Sequence, residues 1–133
     1  MHNFLRYNLY VKGNIATKLR SKQTWDSYIS RVPNPGCFIC GEDNKPIKQF
    51  EYWKIIHNQY PYDAVAENHH MLVPFEHVRL EHMLERAAQD ELWRVLRAID
   101  INEEYDCIMR NFTVGQSHQA HLHYHLITWI RVV

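Results

Sequence analysis

The spacing of hydrophobic and polar positions changes several times along the chain, and each change predicts an element. After Thr24 the run WDSYISR puts Trp25, Tyr28 and Ile29 on one side, which predicts a short capped helix stopped by Pro33, Pro35 and Gly36. EYWKIIHN, residues 51–58, has the β-branched and aromatic content of a strand, and QYPYD, residues 59–63, breaks it. HMLVP, residues 70–74, is a short apolar run ending in proline and predicts a buried strand. From His77 to about Glu104 the period becomes helical: Leu92, Val95, Leu96 and Ile99 form one stripe, which Trp93 and Ile101 widen. Two strand-like runs follow, YDCIMRNF and AHLHYHLITWIRVV, joined by a turn around Gly115. The order is helix, strand, strand, helix, strand, strand, an α+β arrangement of antiparallel hairpins separated by a helix.

The last run carries unusual chemistry. Four of the ten histidines fall within residues 118–125. Side chains alternate along a strand, so His121, His123 and His125 share one face while Leu122, Tyr124 and Leu126 take the other. Three neighbouring imidazoles are a poor choice for a core, because each must find a hydrogen-bond partner. Such a row can bind a transition metal, hold phosphate or supply a nucleophile to phosphorus. The preceding turn, Gly115, Gln116 and Ser117, offers backbone N–H groups, an amide and a hydroxyl, which favours phosphate.

Composition narrows the partners. At 133 residues the chain fits one domain, spanning 1–133. Fifteen basic and fifteen acidic residues leave no bulk field to recruit nucleic acid or an anionic membrane. Cys37, Cys40 and Cys107 are too few for a secreted disulfide framework, and Cys107 reads as core. No apolar run approaches the roughly 18 residues of a membrane span, and no signal peptide is evident, so a cytoplasmic location is expected.

The string from Gly115 through HLHYHLI resembles the signature of the histidine triad superfamily of nucleotide hydrolases and transferases. CFIC, residues 37–40, is similar to the Cys-x-x-Cys of its zinc-bearing members, and the stretch from His57 to Val78 to their second and third strands. The resemblance covers a core of about 37–130 and leaves 1–34 as an N-terminal extension. It implies an antiparallel sheet of about five strands with one main helix, the N-terminal extension adding a helical piece.

The resemblance also implies roles. His123 would attack the α-phosphorus, His125 would contact the same phosphate or assist the leaving group, and His69 would be another phosphate-side histidine. Gln116, Ser117 and His118 would surround the phosphate, and Asn58 with Tyr60, Pro61 and Tyr62 would lie where relatives hold base and ribose, with Trp53 and Ile55, or Ile56, lining that pocket. Cys37, Cys40, His77 and His121 would hold a structural zinc, with no magnesium required. Three residues separate Ser117 from His121 where relatives have two, which leaves His118 and His121 as rivals for the fourth ligand. Hydrolytic members tend to carry histidine at the third triad position, so His125 implies a hydrolase acting on nucleoside phosphoramidates or (di)nucleoside polyphosphates through a nucleotidyl-histidine. A purine nucleotide as substrate and a homodimer are the expected partners. The alternatives are a nucleotidyltransferase, a zinc-dependent nuclease using His69 and His70, and a non-catalytic nucleotide-binding module.

Overall fold

A computed structural model of the chain describes residues 19–31, 36–41, 44–112 and 121–132. Its centre is one antiparallel sheet of five strands: β1 (Lys48–Gln49), β2 (Trp53–His57), β3 (Ala66–Pro74), β4 (Cys107–Met109) and β5 (Tyr124–Trp129). The spatial order is β1-β2-β3-β5-β4, so the last strand in sequence lies inside the sheet. Around it are α1 (Lys22–Ile29), α2 (Arg86–Leu96), α3 (Ile99–Glu104) and a 3-10 turn at Glu81–Met83. None of these helices is long and apolar enough to cross a membrane.

Registers sort the side chains by face. Residues directly opposite in an antiparallel pair share a face. Ile56 faces Met71, and Met71 faces His125, so His69, Met71, Val73, Ile56, His125 and Ile127 line one side. Ile55, Leu72 and Tyr124 line the other. That second side packs with Trp53, Leu122 and Leu126 against Val78, Leu84, Ala88, Leu92, Val95 and Ile101. Each buried aliphatic side chain there contributes roughly 1.5–3 kcal/mol. The first side carries a smaller cluster, in which Ile39 meets Ile56, Met71 and Val73.

Polar clamps fix the helix to the sheet. The Glu91 carboxylate, buried in α2, accepts the backbone N–H groups of Tyr52 (2.8 Å) and Trp53 (3.1 Å). The Trp53 indole N–H donates to the Ala88 carbonyl at 2.7 Å.

Three expectations are corrected. The helix predicted from His77 to about Glu104 is three pieces, because Leu84, Glu85 and Ala98 adopt extended conformations. The break at Ala98 resets the helical phase. Ile101 therefore turns inward while Ile99, 75% exposed, faces solvent with Trp93, 62% exposed. The N-terminal helix is capped by Ser21, whose hydroxyl accepts the Thr24 N–H, so it begins earlier than its apolar side suggests. Finally, β3 starts at Ala66, four residues before the apolar run, and a register irregularity near Asn68 lets the polar segment pair with β5.

Candidate active site and metal cluster

The segment 121–125 leads into β5 and forms its first two residues. The Leu122 N–H donates to the Val78 carbonyl at 2.7 Å, which pins it beside the end of β3. His121 and His123 precede the paired part of the strand, and His125 lies within it.

Obligatory hydrogen-bond roles decide the tautomers. A backbone carbonyl only accepts, so the nitrogen beside it carries the proton. His121 Nε2 lies 2.9 Å from the Pro74 carbonyl, leaving an Nδ1 lone pair. His123 Nδ1 lies 2.8 Å from the His121 carbonyl, leaving an Nε2 lone pair. A backbone N–H only donates: Tyr62 gives its own to His69 Nδ1 at 2.9 Å, so the His69 proton sits on Nε2. His69 Nε2 then donates to His125 Nδ1 at 2.7 Å. The His125 proton must therefore be on Nε2, the one buried side-chain polar atom without a partner among the described residues. The result is one bare nucleophilic nitrogen on His123 and one unspent donor on His125, their rings 5.0 Å apart.

Burial keeps these rings neutral. It holds the His69 imidazole down at about 3, assisted by the charges of Arg20 and neighbouring histidines. It holds His125 at about 2, again with help from His123, His69 and Arg20. His123 is lowered by burial against the opposing effect of its bond to the His121 carbonyl. Neutrality gives His123 a free electron pair at ordinary pH and makes His125 a hydrogen-bond donor, not an acid.

A second cluster lies next to the first. Cys37, Cys40, His77 and His121 bring their ligand atoms within 4.8 Å of one another, the only such set among the described residues. The separations are 3.6 Å from Cys37 Sγ to His121 Nδ1, 3.4 Å from Cys40 Sγ to the same atom, 3.3 Å from Cys40 Sγ to His77 Nδ1 and 3.1 Å between the two Nδ1 atoms. A tetrahedral ion with sulfur and nitrogen bonds of roughly 2.0–2.3 Å has edges of roughly 3.3–3.8 Å, so the four atoms can hold a metal ion. The knuckle bearing the cysteines is fastened by Asn44, whose amide donates to the Phe38 and Ile39 carbonyls. Ile39 anchors it in the core beneath.

Other expected residues separate. Asn58 is half-buried and accepts the Tyr60 N–H at 2.8 Å, shaping its own turn; its amide nitrogen, 3.2 Å from His69 Nε2, meets a nitrogen that is itself a donor and makes no hydrogen bond to it. Trp53 and Ile55 belong to the helix-side core, so Ile56 alone of the three faces the histidines. His70 points away from His69 and is 2.6 Å from the Tyr105 hydroxyl, so the two adjacent histidines cannot share a metal and the nuclease arrangement is lost. Cys107 is half-buried, opposite Ile127. Gln116, Ser117 and His118 lie outside the described residues.

Tyr62, expected in the base-and-ribose loop, instead lies against the histidines, and sequence reasoning missed Glu81 and Arg20. The Tyr62 ring lies 4.3 Å from His69 and stacks on His125 at 5.6 Å and 26°. Glu81 accepts Arg110 Nε at 2.5 Å and Nη2 at 2.7 Å, and also the Tyr124 hydroxyl. Burial pushes the Glu81 carboxyl up, but these bonds outweigh it and hold the group at about 2. Arg20 enters the site from the N-terminal segment. Arg20 and Glu81 bond to partners at least 29 residues distant, and no local pattern marks them.

Comparison with known proteins bears on the fold. No protein-family model and no curated protein matches this sequence. Among solved structures it is similar to a HIT family hydrolase from Legionella pneumophila Philadelphia 1, at 17% identity and a TM-score of 0.53 over 70% of this chain and 92% of that one. It is similar to a histidine triad protein from Clostridium difficile, at 18% and 0.53 over 77% and 96%. A HIT family hydrolase from Clostridium thermocellum matches at 21% and 0.51 over 71% and 91%. The chain has the histidine triad fold.

Proposed function

We propose that the chain is a histidine triad nucleotide hydrolase in which His123 is transiently nucleotidylated. The observation that carries this reading is the tautomer relay: His123 presents a bare Nε2 while His125, fixed through His69 and the Tyr62 backbone, presents an unspent N–H beside it. In the first step the Nε2 electron pair forms a bond to the α-phosphorus as the bond to the leaving group breaks, its electrons departing with that group. His125 Nε2–H stabilises a phosphoryl oxygen, a preorganised donor of the kind worth about 10²–10³ in rate. Water then cleaves the phosphorus–nitrogen bond, its oxygen joining phosphorus, and a nucleoside monophosphate leaves with His123 restored.

The donor set of Cys37, Cys40, His77 and His121 fits zinc in a closed structural site. When bound, the ion would cross-link the cysteine knuckle to the start of the catalytic segment. His121 serves both sites: its ring faces the cysteines while its carbonyl sets the His123 tautomer.

The test is intact mass of the protein, quenched at mildly alkaline pH after mixing with adenosine phosphoramidate or a diadenosine polyphosphate. A gain of one nucleoside monophosphate, absent in His123→Asn, is expected. Turnover by His123→Asn at the wild-type rate refutes the mechanism, and nucleotide binding without turnover in the wild type points to a binding module instead.

A further inference from the structure

The N-terminal segment brings a cation to the histidines. Two polar anchors hold it to the loop before β3: the Ala64 N–H donates to the Leu19 carbonyl at 3.1 Å, and Asp63 accepts the Ser21 N–H (2.7 Å), the Ser21 hydroxyl (2.9 Å) and the Thr24 hydroxyl (2.6 Å). Between these anchors sits Arg20, only 9% exposed. Its Nε donates to the Tyr60 carbonyl at 3.0 Å, and its guanidinium lies 4.2 Å from the Tyr28 ring centre and 4.8 Å from that of Tyr62. Tyr62 is the ring that stacks on His125 and whose N–H orients His69.

Arg20 makes no ion pair with any described residue. Asp63, whose charge acts on Arg20, forms no ion pair with it and accepts three hydrogen bonds from Ser21 and Thr24. Among the described residues only one of the five guanidinium N–H groups is engaged, by Tyr60. A second cation, Arg31, covers Tyr28 at 3.9 Å and adds to the positive charge. A buried cation is expensive unless an anion meets it, and the charge of Arg20 already reaches both His69 and His125.

We infer that Arg20 grips a second phosphate of the substrate, next to the one attacked by His123, so that the leaving group is itself a phosphate and the substrate class is nucleoside or dinucleoside polyphosphates. This rests on the nucleotide hydrolase reading and deepens it. An amine leaving group requires a proton as its bond to phosphorus breaks, whereas a departing phosphate carries the electron pair on oxygen and needs a cation. Among the described residues the site supplies buried, neutral imidazoles and a guanidinium beside the Tyr62 ring, which matches the second case.

The test compares AMP and ADP binding to the full chain by calorimetry in magnesium-free buffer. One charge-assisted contact to the second phosphate gives ADP an advantage of about tenfold or more. Arg20→Met abolishes that advantage while AMP affinity, which also reports that the variant is folded, stays the same; Arg20→Lys keeps part of it. Equal affinities in the wild type overturn the assignment. So does an advantage that survives Arg20→Met, or an equal loss of both nucleotides, which would make Arg20 a support for Tyr62. Absence of binding by either nucleotide overturns it together with the hydrolase reading. An Arg20-dependent preference for ADP without a His123 adduct leaves the phosphate grip standing and removes only the hydrolase reading.

Discussion

Replacing His69 with glutamine should remove most of one proton from the acid sensitivity of folding. In the folded chain His69 is 5% exposed, accepts the Tyr62 N–H and is held neutral down to about pH 3, against 6.5 for a free imidazole. Between those values the unfolded chain binds a proton that the folded chain refuses, so acid favours unfolding. The penalty is absent above pH 6.5 and grows by about 1.4 kcal/mol for each pH unit below it. At pH 5 it amounts to about 2 kcal/mol. Urea unfolding at pH 7 and pH 5, followed by the fluorescence of buried Trp53, gives the loss for wild type and for His69→Gln. The variant should lose about 2 kcal/mol less than wild type, whatever its stability at pH 7, and terms common to both chains cancel in the difference. Parallel losses in the two proteins would refute the claim that burial holds His69 neutral.

His123→Asn should show no nucleotidyl adduct by mass and at least a 10³-fold loss of turnover, with AMP affinity within a few-fold of wild type. Cys37→Ser should reduce bound metal in elemental analysis and lower the melting temperature; unchanged metal content would sink the four-ligand cluster. Glu91→Ala leaves the Tyr52 and Trp53 N–H groups without their acceptor and should destabilise the fold by about 1–3 kcal/mol in urea, with Glu91→Gln recovering part.

The strands were legible because their signals are local, whereas the metal cluster, with ligands up to 84 residues apart, followed only from the resemblance to the histidine triad family. Ile55, Ile56 and the HMLVP run are short apolar stretches with turns beside them, and alternation alone puts His121, His123 and His125 in a common row. The break at Ala98 was hidden, since neither glycine nor proline marks it and the apolar spacing carries on to Ile99; packing of Ile101 under the sheet decides it. Arg20 was hidden for a different reason. Its role comes from contacts with a segment some 40 residues away, and a sequence shows only that an arginine exists. Glu91 likewise carries no local mark of its role, which is to accept the strand amides of Tyr52 and Trp53.

The order β1-β2-β3-β5-β4 has a kinetic side. The strand that comes last in the chain fills the gap between β3 and β4, so both keep open edges until it arrives. His121 and His123 enter on the approach to that strand and His125 on the strand itself, and Met71 finds His125 across more than 50 residues of sequence. Closing so long a loop is slow compared with forming α2 or the β2–β3 hairpin. Partly folded forms should therefore hold a sheet with an exposed seam and no assembled chemistry, and catalytic competence should emerge with the final insertion, not before it.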